Sequence, residues 1–141
     1  VLKDATVPIL LTPHPGEMAR LTGETVESLQ ADRLNHARNL AQQLGVYVAL
    51  KGFRTVIAGP RQKAFINPTG NSGMGSGGTG DVLTGIVGSL VAQGHGPMEA
   101  LAVAIYVHGL AGDKAAEIRG QRAMLASDLL AQVGVILKSW E

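Results

Sequence analysis

The sequence predicts an α/β fold formed by one domain over residues 1–141. Short apolar runs are typical of buried strands, and longer segments with apolar residues at helical spacing are typical of helices. Taken in order, these segments give a β-α-β-β-β-α-α-α arrangement without an internal repeat or linker. A hydrophobic fraction of 45% and a net charge of +1 exclude a disordered chain and a nucleic-acid-coating protein.

The first half of the chain alternates between apolar runs and a long amphipathic segment. Val7–Leu11 is predicted to be a buried strand, and Pro15 opens a short helix that continues through Leu21. From Val26 to Leu44 the apolar residues fall mostly on one helical face, and Gly45 supplies a helix stop. Val46–Leu50 is predicted to be a second buried strand.

A hairpin and three helices are expected in the rest of the chain. Thr55–Ala58 and Lys63–Ile66 flank the turn-forming residues Gly59-Pro60-Arg61-Gln62 and are predicted to pair. The expected helices begin near Asp81 and stop at Gly94, run from Pro97 to about Ala116, and run from an N-cap at Ser127 to about Ser139.

A glycine-rich segment, Asn71–Gly85, lies between the hairpin and the first of these helices. It reads Asn-Ser-Gly-Met-Gly-Ser-Gly-Gly-Thr-Gly-Asp-Val-Leu-Thr-Gly. Glycine can adopt positive-φ conformations in which successive N–H groups converge on one point. The first-turn amides and the dipole of a helix that begins near Asp81 would add to the same focus. We therefore predict an anion hole for a phosphoryl group, formed by Gly75, Ser76, Gly77, Gly78, Thr79 and Gly80.

Two common phosphate-binding motifs do not account for this segment. The chain has no Gly-Lys pair, which excludes a Walker A loop. The pattern G-x-G-x-x-G occurs in two overlapping registers, but a dinucleotide site also needs an acidic residue about 20 positions later at a strand end. The residue in that window is Glu99, which lies at the start of a predicted helix.

Asp81 ends the glycine-rich segment and is the candidate catalytic base. A carboxylate at a helix N-terminus can also do no more than complement the helix dipole. Beside an anion site, however, a carboxylate is electrostatically unfavourable unless it takes up a proton during the reaction. We therefore favour a base that deprotonates an attacking hydroxyl while the amides stabilise charge on the transferred phosphoryl group.

Four segments in a fixed order also carry a family resemblance. They are Thr12–Glu17 (Thr-Pro-His-Pro-Gly-Glu), Leu50–Thr55 (Leu-Lys-Gly-Phe-Arg-Thr), Asn71–Gly85, and Tyr106–Asp113 (Tyr-Val-His-Gly-Leu-Ala-Gly-Asp). Together they resemble the ATP/ADP-dependent NAD(P)H-hydrate dehydratases of the ribokinase-like superfamily. The resemblance implies a ribokinase-like sheet covered by helices on both faces. Because family domains carry further β/α units before Thr12, we expect residues 1–141 to be the C-terminal portion of the domain.

The resemblance also implies a reaction and a role for particular residues. The reaction would repair NADH or NADPH that has taken up water on the nicotinamide ring, using ADP or ATP with Mg²⁺ to phosphorylate the new hydroxyl before phosphate leaves. Asp81 would contact the hydrated nicotinamide as base, His14 would bind the hydrated dinucleotide, and Gly80 would lie against the nucleotide. The AMP moiety would be held by Lys51, Gly52, Phe53, Arg54 and Thr55.

Further expectations concern partners and the remaining polar residues. We expect no structural metal site, no membrane span, a cytoplasmic homo-oligomer, and an epimerase domain fused upstream, since the first residue is Val and family members are often bifunctional. We expect His108 to be a packed, hydrogen-bonded helix residue, and we assign Glu17 no role.

Two other functions remain compatible with these residues. A ribokinase-like kinase for vitamin precursors, such as hydroxymethylpyrimidine or hydroxyethylthiazole, would share the glycine-rich segment and the aspartate. A non-catalytic nucleotide-binding module would share the anion site, but it would gain nothing from Asp81.

Overall fold

The fold was described from a computed structural model that covers residues 5–61 and 63–141. Its strands are β1 (Leu10–Leu11), β2 (Tyr47–Leu50), β3 (Val56–Ala58) and β4 (Phe65–Ile66). Its α-helices are α1 (Pro15–Thr22), α2 (Val26–Ala31), α3 (Arg33–Leu44), α4 (Thr79–Ala92), α5 (Pro97–Arg119) and α6 (Ala126–Lys138).

The four strands form one mixed sheet in the order β1-β2-β3-β4. β1 runs parallel to β2, whereas β2 with β3 and β3 with β4 are antiparallel. Alternate residues of β2 face opposite sides of the sheet, as the pleat of a strand requires. Val48 and Leu50 pack with α1, α2 and α3, while Ala49 packs with α4 and α5. Helices therefore cover both faces, which confirms the predicted α/β class.

A third cluster of apolar side chains joins the last two helices. Val107, Ala111 and Ala115 of α5 are buried against Leu129 and Ile136 of α6. The long helix α5 thus contacts both the sheet and α6. Among the described residues, no helix has the combination of length and apolar character needed to cross a bilayer.

The predicted helix from Val26 to Leu44 is two helices, and this prediction was wrong. The break occurs at Asp32, whose φ of −146° and ψ of 64° are not helical. Its carboxylate accepts a hydrogen bond from the backbone N–H of Asn35 at 3.2 Å, and it is thus the N-cap of α3. The helical spacing of apolar residues continues across Asp32, so the sequence pattern predicted one helix where the backbone forms two.

The remaining differences lie at element ends. Val7 is 68% exposed and only Leu10–Leu11 of the predicted first strand pairs, because Pro8 has no N–H to donate. The last helix has its N-cap at Leu125 rather than Ser127, since the Asp128 carboxylate accepts from the Leu125 N–H at 2.9 Å. The hairpin of β3 and β4 is confirmed, although Gln62 in its predicted turn lies outside the described residues.

We expect Leu29→Ala to lower the free energy of unfolding by about 2–5 kcal/mol, because it leaves a cavity in the core. Leu29 is fully buried between α1, α3 and the sheet. Leu34→Ala, at a position 37% exposed, is the matched control and should cost less than about 1 kcal/mol. Urea unfolding followed by circular dichroism measures both, and equal losses would contradict this packing.

Candidate active site

The glycine-rich segment leaves a row of backbone N–H groups without acceptors. It contains a 3₁₀ turn over Ser72–Gly75, and α4 begins at Thr79 rather than near Asp81. The five successive amides from Ser76 to Gly80 donate to no acceptor among the described residues. The next amide, that of Asp81, is paired with the carbonyl of Gly78 at 3.1 Å. Unpaired amides at a helix N-terminus are the donors that an anion requires.

Helix α5 holds both ends of the glycine-rich segment. At the start of the segment, the carboxylate of Asp113 on α5 accepts from the N–H of Gly70 at 2.9 Å and from the Asn71 side-chain amide at 3.0 Å. Where the segment enters α4, the Nε2 of His108 on α5 lies 2.8 Å from the carbonyl oxygen of Thr79. These bonds connect residues far apart in sequence, so they set the position of the amide row by tertiary contact.

Two glycines of α5 allow the segment to approach the helix closely. A Cβ atom on Gly109 would overlap Thr69, and one on Gly112 would overlap the side chain of Met74. Any larger residue at these positions would push the segment away from α5. The glycines of Tyr106–Asp113 are therefore required for packing beneath the site.

His108 is buried in a neutral form. Because a carbonyl oxygen only accepts, the contact with Thr79 requires a hydrogen on Nε2. Burial lowers the pKa of the imidazole below its ordinary value of 6.5, and the nearby Lys51 charge lowers it further. The prediction that His108 is a packed, hydrogen-bonded residue is confirmed, and the structure adds that it lines a cavity.

A cavity of about 670 Å³ lies between the end of the sheet and the glycine-rich segment, in the size range of small-molecule sites. Three predicted site residues, Gly77, Gly78 and Asp81, are absent from its wall. Asp81 is exposed in the first turn of α4, directly after the lining residue Gly80. The predicted site residues that do line the cavity are His14, Lys51, Gly52, Phe53, Arg54, Thr55, Gly75, Ser76, Thr79 and Gly80.

His14, Glu17 and Lys51 lie together at the edge of the cavity. The His14 Nδ1 accepts from the Glu17 N–H at 3.2 Å, and the Glu17 carboxylate accepts from the His14 N–H at 2.6 Å. This reciprocal pair is a capping box for α1. The hydrogen bond from the His14 N–H is the main cause that lowers the pKa of Glu17, and Lys51, 3.8 Å away, also lowers it. Glu17 thus caps the helix and is a counter-ion for Lys51.

The turn over Lys51–Thr55 has an unusual backbone. Arg54 has a φ of 57°, a region that costs energy for a residue with a Cβ atom. Its guanidinium lies 5.5 Å from the centre of the Phe53 ring, which is 82% exposed. The Lys51 N–H donates to the carbonyl of Pro13 at 2.8 Å and joins the turn to the segment after β1.

Sequence reasoning missed several residues of the cavity wall. Asn67 is buried directly after β4, and its side chain donates to the carbonyl of Thr69 at 3.0 Å. The position of a polar residue immediately after a strand could have indicated that Asn67 and Thr69 belong to the site. Other missed lining residues are Met74, Leu83 and Ile105.

Comparison with known proteins identifies the family. The sequence profile of the NAD(P)H-hydrate dehydratases (Carb_kinase) matches residues 2–134. The chain belongs to this family. It is 53% identical over 134 residues to the bifunctional NAD(P)H-hydrate repair enzyme of Moorella thermoacetica, covering 95% of this chain and 25% of that protein.

Solved structures agree with this family and with its fold. The ADP/ATP-dependent NAD(P)H-hydrate dehydratase of Bacillus subtilis, co-crystallised with ATP/Mg²⁺, superposes with a TM-score of 0.91 at 38% identity, covering 95% of this chain and 48% of that one. A ribokinase-like superfamily protein of Enterococcus faecalis gives a TM-score of 0.80 at 32% identity, covering 96% and 46%. The ribokinase-like fold is confirmed, and this chain spans about half of each of these structures or less.

We expect the free energy of unfolding to rise with pH below 6.5, the ordinary pKa of histidine. In that range the unfolded chain takes up a proton at His108 that the folded chain, with its lowered pKa, does not, so acid favours unfolding. His108→Gln should reduce this slope. An NMR titration of the His108 imidazole should show a midpoint below 6.5, and a midpoint at or above that value would contradict the buried neutral form.

Proposed function

We propose that this chain carries the nucleotide-binding and catalytic residues of an ADP/ATP-dependent NAD(P)H-hydrate dehydratase. The observation that carries the proposal is the row of five unpaired amides beside a cavity, followed directly by Asp81. The family membership and the similar Bacillus subtilis enzyme, which was co-crystallised with ATP/Mg²⁺, support the same reaction. Hydrated NADH or NADPH is the proposed substrate.

The amides from Ser76 to Gly80 would hold the phosphoryl group that is transferred. The Ser76 hydroxyl oxygen is also buried with no partner among the described residues, so it is a further group that a ligand could pair. Lys51 adds a positive charge close to this position, since its Nζ lies 3.3 Å from where a Cβ on Gly80 would be. Gly75, at the end of the 3₁₀ turn, completes the proposed anion hole. Backbone donors and a fixed cation together stabilise the charge that develops during transfer.

Asp81 would act as the general base. It takes the proton of the ring hydroxyl, whose oxygen forms a bond to the terminal phosphorus while the bond from that phosphorus to the nucleotide breaks. The lone pair of the ring nitrogen then expels phosphate, and loss of a ring proton restores the double bond. Phosphorylation is needed because hydroxide is a poor leaving group and phosphate is a good one. His14 is proposed to bind the dinucleotide, and the Lys51–Thr55 turn to hold the AMP moiety.

The residues present fit a Mg²⁺ ion that arrives with the nucleotide. Among the described residues there is no group of three or more His, Cys, Asp or Glu side chains that could hold a metal by itself. Mg²⁺ keeps several water ligands and is commonly held through substrate phosphates and one or two carboxylates. When bound, it would neutralise part of the phosphate charge.

Three further proposals concern the whole protein. The relative from Moorella thermoacetica is named bifunctional, and the match covers only 25% of it, which supports an epimerase domain fused upstream. Exposed apolar residues near the C-terminus, among them Leu130 at 57%, Val135 at 56% and Trp140 at 53%, support a homo-oligomer. Reduced nicotinamide cofactors and adenine nucleotides are cytoplasmic metabolites, and we expect the reaction there.

Product analysis separates the proposed reaction from that of a vitamin-precursor kinase. With hydrated NADH and ADP or ATP, we expect release of free phosphate together with recovery of the absorbance of the reduced nicotinamide. A kinase acting on a vitamin precursor would instead accumulate a stable phosphate ester. Accumulation of such an ester from hydroxyethylthiazole, with no cofactor recovered, would overturn the dehydratase proposal.

We expect Asp81→Asn to lower kcat by about two to four orders of magnitude, the range of a lost general base. Nucleotide affinity should change little, because the amides of the anion site are retained. Glu99→Gln is the matched control, since Glu99 is also an exposed acid in the first turn of its helix. A kcat for Asp81→Asn close to that of the Glu99→Gln protein would mean that Asp81 only complements the helix dipole.

A further inference from the structure

We propose that Arg33 is a positioning residue that holds the Lys51–Thr55 turn in the conformation that binds the nucleotide. Arg33 is the first residue of α3 and belongs to none of the four motifs. The inference rests on the proposed nucleotide site, and it adds a residue to which neither the sequence pattern nor the cavity wall points.

The Arg33 guanidinium forms hydrogen bonds with a carbonyl directly before the turn and with one at its centre. Its Nη1 donates to the carbonyl of Phe53 at 2.5 Å, and its Nη2 donates to the carbonyl of Leu50 at 2.8 Å. These acceptors are 20 and 17 residues away in sequence. A planar guanidinium presents donors in a rigid fork that can join two carbonyl groups, whereas a lysine ammonium cannot reproduce that geometry.

The same guanidinium packs against the backbone of Gly52. A Cβ atom at Gly52 would lie 2.9 Å from the Arg33 Nη2, and the Gly52 φ of 141° is itself unfavourable for other residues. Arg33 therefore contacts the residue before the turn, the turn's glycine and its central residue Phe53. The strained conformation of Arg54 is the part of the backbone that these contacts support.

Because Arg33 fixes the Phe53 carbonyl, it also fixes the N–H group of Arg54, which belongs to the same peptide bond. The peptide bond is planar and trans, so the N–H of Arg54 points in the direction opposite to the Phe53 carbonyl and away from Arg33. That N–H donates to no acceptor among the described residues, and Arg54 lines the cavity. Arg33 thereby orients a backbone donor that is available to a bound nucleotide.

Arg33 occupies an energetically unfavourable position for a cation. Its Nε is buried without a hydrogen-bond partner among the described residues, and burial lowers the pKa of the guanidinium. It also lies at the N-terminal end of α3, where the helix dipole disfavours positive charge. These costs are offset by the two carbonyls that the guanidinium pairs, which locates the gain from Arg33 at the turn.

The test compares three variants of the intact protein. Arg33→Met removes both donors, Arg33→Lys keeps the charge but loses the fork, and Arg38→Met is the matched control at an exposed position of the same helix. Calorimetric titration with ADP and ATP, steady-state kinetics and urea unfolding are measured for each protein. The kinetics give separate KM values for nucleotide and for hydrated NADH.

We expect Arg33→Met to raise the nucleotide Kd and KM by about 10- to 100-fold, as a misplaced binding segment does. The KM for hydrated NADH and kcat at saturating nucleotide should stay within about threefold of wild type, Arg33→Lys should be intermediate, and Arg38→Met should be unchanged. A folded Arg33→Met protein with wild-type nucleotide affinity would overturn the inference. If Arg33→Met does not fold, wild-type affinity in Arg33→Lys overturns it and weakened affinity supports it. A wild-type protein that binds no nucleotide would instead overturn the proposed function.

Discussion

The unpaired amide row from Ser76 to Gly80 is the feature on which the site depends. Backbone N–H groups that find no acceptor in the protein pair with water or with a ligand, and a free segment could instead rearrange to pair them internally. In this fold α5 prevents the rearrangement, because its Asp113 binds the N–H of Gly70 and its His108 binds the carbonyl of Thr79. One helix, α5, thus keeps five donors available for an anion. Its glycines are necessary because the segment must approach it closely.

Electrostatics around the amide row favour an anion from several directions at once. The N-terminus of α4 carries a partial positive charge, and Lys51 places a full charge close to Gly80. The Glu17 carboxylate compensates the charge of Lys51 and also completes the capping box of α1. Asp81 is the acidic residue of the first turn of α4, and its exposure keeps it accessible to substrate. The arrangement suits the proposed transfer of a phosphoryl group to a hydroxyl, with Asp81 as the proposed base.

The Lys51–Thr55 turn, which is proposed to bind the nucleotide, is strained and still well defined. Its positive-φ residues would not adopt this conformation in an isolated peptide, and its Phe53 side chain gains almost nothing from burial. The stabilising contacts come from elsewhere: Pro13 accepts from the Lys51 N–H, and Arg33 donates to the carbonyls of Leu50 and Phe53. A ligand that meets this turn meets a preformed surface, which reduces the entropy lost on binding.

The sequence by itself determined the features that depend on neighbouring residues. Apolar runs predicted β2 and β3, helical spacing predicted α4 and α5, and glycine density predicted an irregular segment before α4, because strand, helix and loop preferences are local. The break at Asp32 is also local, since its carboxylate caps α3 through Asn35, but the continuous apolar stripe concealed it. Only the tertiary structure decided the contacts of Arg33, His108 and Asp113, which join residues 17 to 43 positions apart. No local pattern encodes such pairs, since they form only when the sheet and helices pack together.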